Sequence, residues 1–311
     1  MKKIIKTILI ALIVVGVVVG GYFAVPTGIE AAKYADSITK SGLFKNTMSD
    51  RLPQTAIYGV MYKHFYDNQS GKTPMLLFVG YDGFRADAAV ASVKLDDSGI
   101  ADIIGDGEIY LGKAGNILPW KYQQTVTASG WTSEFTGLYS DKHKVRGNGM
   151  TMSGDAETIM HRLARDGFSA SFSASWPHHF DTVYKNELED SVSNGYPISY
   201  YECGDDGATR QAMLLSIAAS DRAVFGIFEY TDAAGHNFDY ELDSPEYFKA
   251  VVDAERDGAE LVAAVKAREN YANEDWLIII TTDHGGYNSD HGGFNIKETT
   301  IFFAVNKKGL F

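Results

Sequence analysis

Residues 276–286 read WLIIITTDHGG, an apolar run without alternation that ends abruptly on an acid and a histidine. Such a run suits a strand buried on both faces, as in a parallel sheet covered by helices, because no face is left for polar residues. Two other segments repeat the arrangement. MLLFVG (75–80) runs into Tyr81-Asp82-Gly83, and AVFGIF (223–228) runs into EYTDAAGH (229–236), which sets Asp232 and His236 four residues apart. After the 276–282 run, Asp283-His284 is followed by Gly285, Gly286 and then His291.

Working outward, the stretches between these runs have helical character: WTSEFTGLY, AETIMHRLARDG ending at Gly167, TRQAMLLSIAAS, and SPEYFKAVVDAERDGAELVAAVKAREN. The last has apolar residues at helical spacing and opens on Ser244-Pro245, a cap followed by a first-turn proline. Strands alternating with helices predict a layered α/β domain. Residues 26–72 are more weakly patterned. There Ile57, Met61, His64 and Phe65 fit one helix face, and DNQSGK (67–72) is a turn ahead of the first buried strand.

The chain opens MKKIIKTILIALIVVGVVVGGYFAV, with Lys2, Lys3 and Lys6 flanking an uncharged stretch from Thr7 to Val25. Its 19 residues sit at the short end of a membrane-spanning helix, which needs about 20, and exceed a signal-peptide core of about 7–15. The positive flank predicts a cytoplasmic N-terminus with everything after Val25 outside. The first small-residue cleavage candidates stand only at Ala31 and Ala32, so an uncleaved single-pass cell-membrane anchor is preferred over a secreted product. The expected organisation is an anchor at 1–25, a stalk and packing helix at 26–72, and a catalytic domain at 73–311.

Composition sets outer bounds. With 311 residues, 45% hydrophobic and 22% charged, the chain is globular rather than collagen-like, disordered or coiled-coil. Cys203 is its only cysteine, which excludes an intramolecular disulfide. A net charge of -12 disfavours a nucleic-acid polymer as partner. A small anionic substrate fits if bound cations reverse the sign locally.

In open α/β sheets, ligands bind outside the carboxyl ends of the strands. Three strand ends here deliver three Asp and three His to that edge, donors suited to zinc or to manganese. Six donors exceed what one tetrahedral ion needs, so two divalent ions are expected. Singly, each residue reads as well as a cap or turn; the conjunction is what is specific.

The set VGYDGFRADA (79–88), TVTASGWTSEFTGLYSDKH (125–143), EYTDAAGH and TTDHGGYNSDHGG (281–293) resembles the alkaline phosphatase superfamily. Within it the similarity is to the type I phosphodiesterase/nucleotide pyrophosphatase branch. The resemblance implies a three-layer α/β/α sandwich around a mostly parallel sheet, here preceded by an N-terminal transmembrane helix. It implies one metal site of Asp82, Asp283 and His284, completed by Thr127 as nucleophile, and a second of Asp232, His236 and His291. The implied activity is an extracytoplasmic two-metal phosphoesterase of diester type, most simply with two Zn2+ and otherwise Mn2+, acting on a small phosphate ester through a phospho-threonine.

The residues around Thr127 fit that role. A threonine hydroxyl is a weak nucleophile until a base or metal lowers its pKa. Thr127 precedes SGWTSEFTG, a helical start whose free N–H groups favour a phosphoryl oxygen, with Gly137 as its stop. Thr125 and Ser129 are the fallback hydroxyls. Gly130 offers no side-chain donor, leaving oxyanion stabilisation to helix-start N–H groups, Trp131 or nearby side chains. The C/S-x-P-x-R pattern of sulfatases is absent.

Residues 168–222 have little family signal and are expected to set selectivity. There Trp176, His178, His179 and Asp181 of SWPHHFD read equally as a pocket or a surface loop, while His143 and Asn148 read as structural. Two alternatives remain: an envelope transferase of phosphoglycerol or phosphoethanolamine groups, and a non-catalytic metal-bearing ectodomain.

Overall fold

The computed structural model describes residues 28–311. Among these no helix is long and apolar enough to cross a membrane; the expected anchor at 1–25 lies outside the described residues.

A helix over 28–41 (α1) leads in chain order to β1 (Leu52–Pro53), α2 (Ala56–Tyr66), β2 (Thr73–Tyr81), α3 (Ala86–Ser92), α4 (Gly99–Ile104) and β3 (Glu108–Lys113). Then come α5 (Thr127–Thr136), α6 (Ser140–His143), α7 (Ile159–Arg165), β4 (Ala170–Ala174), α8 (Lys185–Asn194), β5 (Ile198–Glu202) and α9 (Asp206–Ala218). The chain ends with β6 (Ala223–Phe228), α10 (Tyr230–Phe238), α11 (Pro245–Lys266), β7 (Glu274–Thr281), α12 (Ile296–Thr299) and β8 (Thr300–Val305).

The eight strands form one sheet in the order β1-β3-β8-β7-β2-β6-β4-β5. All pairings are parallel except those of β8, which runs antiparallel to both β3 and β7. The three apolar runs are β2, β6 and β7, and they lie side by side at the centre with β2 in the middle. Their residues alternate between two cores. Leu76, Phe78, Phe225 and Ile279 pack with α2, α5 and α7. Leu77, Val79, Val224 and Ile280 pack with α4, α9 and α11 on the opposite face. Both faces are therefore buried, which is why these runs carry no polar alternation; each such side chain contributes about 1.5–3 kcal/mol.

Local signals set the helix limits. Ser244 precedes Pro245 at the first position of α11, where a missing N–H costs nothing. Gly137 ends α5 with φ +70°, a left-handed conformation that glycine adopts without a Cβ penalty. Ile57, Met61 and Phe65 form the buried face of α2, with His64 bonded to the Met75 carbonyl at 3.0 Å. The 168–222 segment, expected to set selectivity, supplies β4, β5, α8 and α9.

Parallel register gathers the chemistry. Gly80 pairs with Thr281 and Tyr81 with Phe228. The residues that follow, Asp82, Asp283 and Glu229, therefore leave the sheet together at one edge.

Candidate active site

Asp82 and Asp283 come directly from the ends of β2 and β7, and both are fully buried with His284. Asp232 and His236 lie four apart on α10, on one helix face. His291 comes from the loop after β7. His284 Nε2 stands 3.4 Å from Asp82 Oδ1 and 3.5 Å from Asp283 Oδ2. His236 Nε2 and His291 Nε2 stand 3.5 and 3.6 Å from the two Asp232 oxygens.

All three imidazoles are held the same way. Nδ1 of His284, His236 and His291 faces the carbonyl of Gly285, Ser289 and Thr125, at 2.9, 3.1 and 2.8 Å. A carbonyl only accepts, so each Nδ1 carries the proton and each Nε2 lone pair is left for a cation. The carboxylates agree with this. Neither oxygen of Asp283 has a hydrogen-bond partner although both are buried. Burial, then the Asp232 charge, pushes the Asp82 carboxyl well above its ordinary range; burial, then Asp82, does the same to Asp283. Burial, then His291, pushes His284 down. Imidazole nitrogens facing crowded carboxylates, that of Asp283 without any hydrogen-bond partner, are a donor set that a divalent cation fits.

Two groups of donor atoms lie within 4.8 Å of one another: Asp232, His236 and His291, and Asp82, Asp232 and His284. Asp232 thus stands in both groups, whereas the resemblance puts Asp283, not Asp232, with Asp82 and His284. Asp283 remains adjacent through His284.

Thr127 is the first residue of α5 and is 4% exposed. Its Oγ1 lies 3.5 Å from Asp82 Oδ1 and 3.4 Å from His284 Nε2. The fallback hydroxyls are occupied elsewhere: Thr125 donates to the Gly293 carbonyl at 2.9 Å, and Ser129 faces the carbonyls of Gln124 and Val126. The helix begins at Thr127 itself rather than just after it, so its N–H-rich end lies at the hydroxyl.

Close packing depends on two glycines. A Cβ on Gly130 would come within 2.8 Å of Asp283 Oδ2, and one on Gly83 (φ +65°) within 2.8 Å of Asp232 Oδ1. Gly130 is therefore a contact position that lets α5 reach the strand end.

Several residues at the site were read differently, or missed, from sequence. Trp131 does not serve the oxyanion: its Nε1 donates to Asp82 Oδ2 at 2.8 Å. Asn148, read as structural, takes the Ala128 N–H on its Oδ1 at 3.1 Å, which brings its amide to the start of α5. His143 is buried against Ser133 and the Val145 N–H, and burial pushes it down to about 3. Tyr240 donates to Asp232 Oδ1, and Gln54 Nε2 donates to the Asp283 carbonyl at 2.6 Å. Half-buried Glu229 follows β6 directly, an acid at a strand end that the same logic would have flagged; desolvation, then Asp82, pushes it up. Of SWPHHFD, His179 is buried against Trp176 and Tyr184, and exposed His178 pairs with Asp181 at 3.1 Å; neither His178 nor His179 joins the metal-type clusters.

The sequence profile of the type I phosphodiesterase / nucleotide pyrophosphatase family matches residues 76–300. The chain belongs to that family. Among solved structures it is similar to murine ectonucleotide pyrophosphatase / phosphodiesterase 5, with 20% identity over 68% of this chain and 57% of that one (TM-score 0.48). It is also similar to a 2-O GAG sulfatase, with 10% identity over 76% and 64% (TM-score 0.55). An alkaline phosphatase from the Antarctic bacterium TAB5 aligns at 11% identity over 76% and 92% (TM-score 0.47). The chain spans less than two thirds of the first two. The likeness to the sulfatase shows a shared fold and no more. A search of curated protein sequences finds no match.

Proposed function

We propose that this family member is a membrane-anchored, extracytoplasmic phosphoesterase with diester preference, in which Thr127 is the nucleophile. The supporting observation is the Thr127 hydroxyl itself, which heads a buried helix and lies within 3.5 Å of both Asp82 and His284. Asp82, Asp283 and His284 would hold one divalent cation, and Asp232, His236 and His291 a second, with Asp232 near both. When bound, such ions, most simply Zn2+, supply charge to the phosphoryl oxygens and lower the pKa of a nearby hydroxyl or water.

The chain's own groups do the rest. Thr127 Oγ1 forms the bond to phosphorus as the ester oxygen opposite it departs, its proton passing to solvent and the departing oxygen taking one from water. The start of α5 and the Asn148 amide face the equatorial oxygens, where fixed dipoles stabilise developing charge. Water then breaks the phospho-threonine and restores the hydroxyl. Trp131 and Tyr240 hold Asp82 and Asp232 in orientation throughout.

The test is hydrolysis of a chromogenic phosphate diester beside its monoester, with added zinc or manganese. Faster metal-dependent cleavage of the diester is expected. Release that exceeds on the monoester would turn the assignment to a phosphatase. Transfer to an added alcohol in place of hydrolysis would turn it to a transferase.

A further inference from the structure

We infer that the loop over 116–123, with Phe294, is a membrane-docking face at the mouth of the site, so that the phosphate ester it takes is one held at a lipid surface. This rests on the phosphoesterase assignment and narrows its substrate class.

The loop is closed at its base, where Asn116 and Gln123 exchange backbone hydrogen bonds of 2.8 and 2.9 Å. Between them the sequence ILPWKY leaves Ile117, Leu118, Trp120 and Tyr122 exposed by 60, 43, 68 and 46%. Single exposed apolar residues are ordinary, but a run of this kind on one loop marks an interaction surface. Tyr122 meets the half-exposed ring of Phe294 edge-on at 5.6 Å between centroids. The loop joins the site directly, since Thr125 bonds Gly292 and Gly293 beside His291, two residues before Thr127.

Its chemistry matches one occupant. Trp and Tyr interleaved with Lys is the composition favoured at a membrane–water interface. Lys121 lies over the Tyr139 ring at 5.6 Å, and Lys142, Lys144 and Arg146 follow as exposed cations. On a chain of net charge -12 this local excess complements anionic headgroups. The uncharged stretch Thr7–Val25 ends three residues before α1. Near the start of α1, Glu30 pairs with Lys297 at 2.8 Å and with Tyr287 at 3.3 Å. The segment carrying His291 is thus gripped on one side by the helix that follows the apolar stretch, and on the other by the apolar loop.

The full chain would be reconstituted into vesicles of phosphatidylcholine with about a quarter phosphatidylglycerol, carrying brominated acyl chains. Tryptophan quenching would be compared between wild type and Trp120→Ala, with flotation measured on both. Flotation of both, with at least about a twofold loss of quenching in the variant, is expected because Trp131 and Trp276 are buried and Trp176 is partly buried against the core. Equal quenching in chains that float would overturn the face while leaving the anchor standing, and absence of flotation would overturn both. Concentration-dependent shielding of Trp120 in detergent would overturn the lipid assignment in favour of a second copy. Failure to cleave a soluble diester, with quenching intact, would strike the phosphoesterase assignment alone.

Discussion

Thr127 Oγ1 lies 3.4 Å from His284 Nε2, and the other nitrogen of that ring is fixed 2.9 Å from the Gly285 carbonyl. The carbonyl sets the tautomer, so the nitrogen facing Thr127 is the unprotonated one. Thr127, at the start of α5, and His284, past the end of β7, therefore face each other from separate elements, and substitutions that part them have separable effects.

Gly130→Ala places a methyl against Asp283 at 2.8 Å. Overpacking there costs about 1–3 kcal/mol, more than the roughly 1 kcal/mol gained in helix propensity. A lower urea midpoint and weaker zinc binding by titration calorimetry are expected. An unchanged midpoint with full metal affinity would show that α5 does not need this close approach.

Trp131→Phe keeps the packing of α5 but removes the donor to Asp82 Oδ2. A buried carboxylate oxygen left unpaired costs about 1–3 kcal/mol. Stability of the metal-free chain should fall by that order, and added zinc should restore part of it, since a cation also satisfies the oxygen. Equal losses with and without zinc would place the effect in packing.

Asn148→Asp retains an acceptor for the Ala128 N–H but removes the amide donors and adds a negative charge. If the amide serves the phosphoryl oxygens, kcat should drop by about 10²-fold with the fold intact. Activity close to wild type would make Asn148 a helix cap only.

Away from the site, burial pushes Glu255 up to about 7, from an ordinary 4.5. The folded chain then holds this proton more tightly than the unfolded one. That contribution to stability is complete below the unfolded value and is lost as pH rises through the folded one. Glu255→Gln should flatten the fall in unfolding free energy, read from urea melts, between about pH 5 and pH 8, on the order of 3 kcal/mol. The same slope in both proteins would assign the pH dependence to other groups, such as Glu187, also pushed up to about 7.

What the sequence disclosed follows from where its signals are local. β2, β6 and β7 were legible because burial on both faces leaves each with an apolar run, and their Asp and His ligand candidates follow within a few positions. β4 (ASFSA) carries buried Ser171 and Ser173, so it lacks an apolar run. β5 is an edge strand with mixed exposure. The antiparallel course of β8 depends on its two partners, which a strand pattern does not encode. Asn148, Tyr240 and Gln54 reach the site from other elements through single hydrogen bonds, and no motif spacing marks such an approach. Gly130 looked like a missing donor because its role is the absence of a Cβ opposite Asp283.

The most direct test of the central claim is a paired measurement on wild type and Thr127→Ala: bound metal per chain, and metal-dependent turnover of a phosphate diester. The prediction is near-normal metal content in the variant, because Asp82, Asp232, Asp283 and the three histidines remain, with turnover abolished. Turnover retained by a metal-loaded Thr127→Ala chain would contradict it.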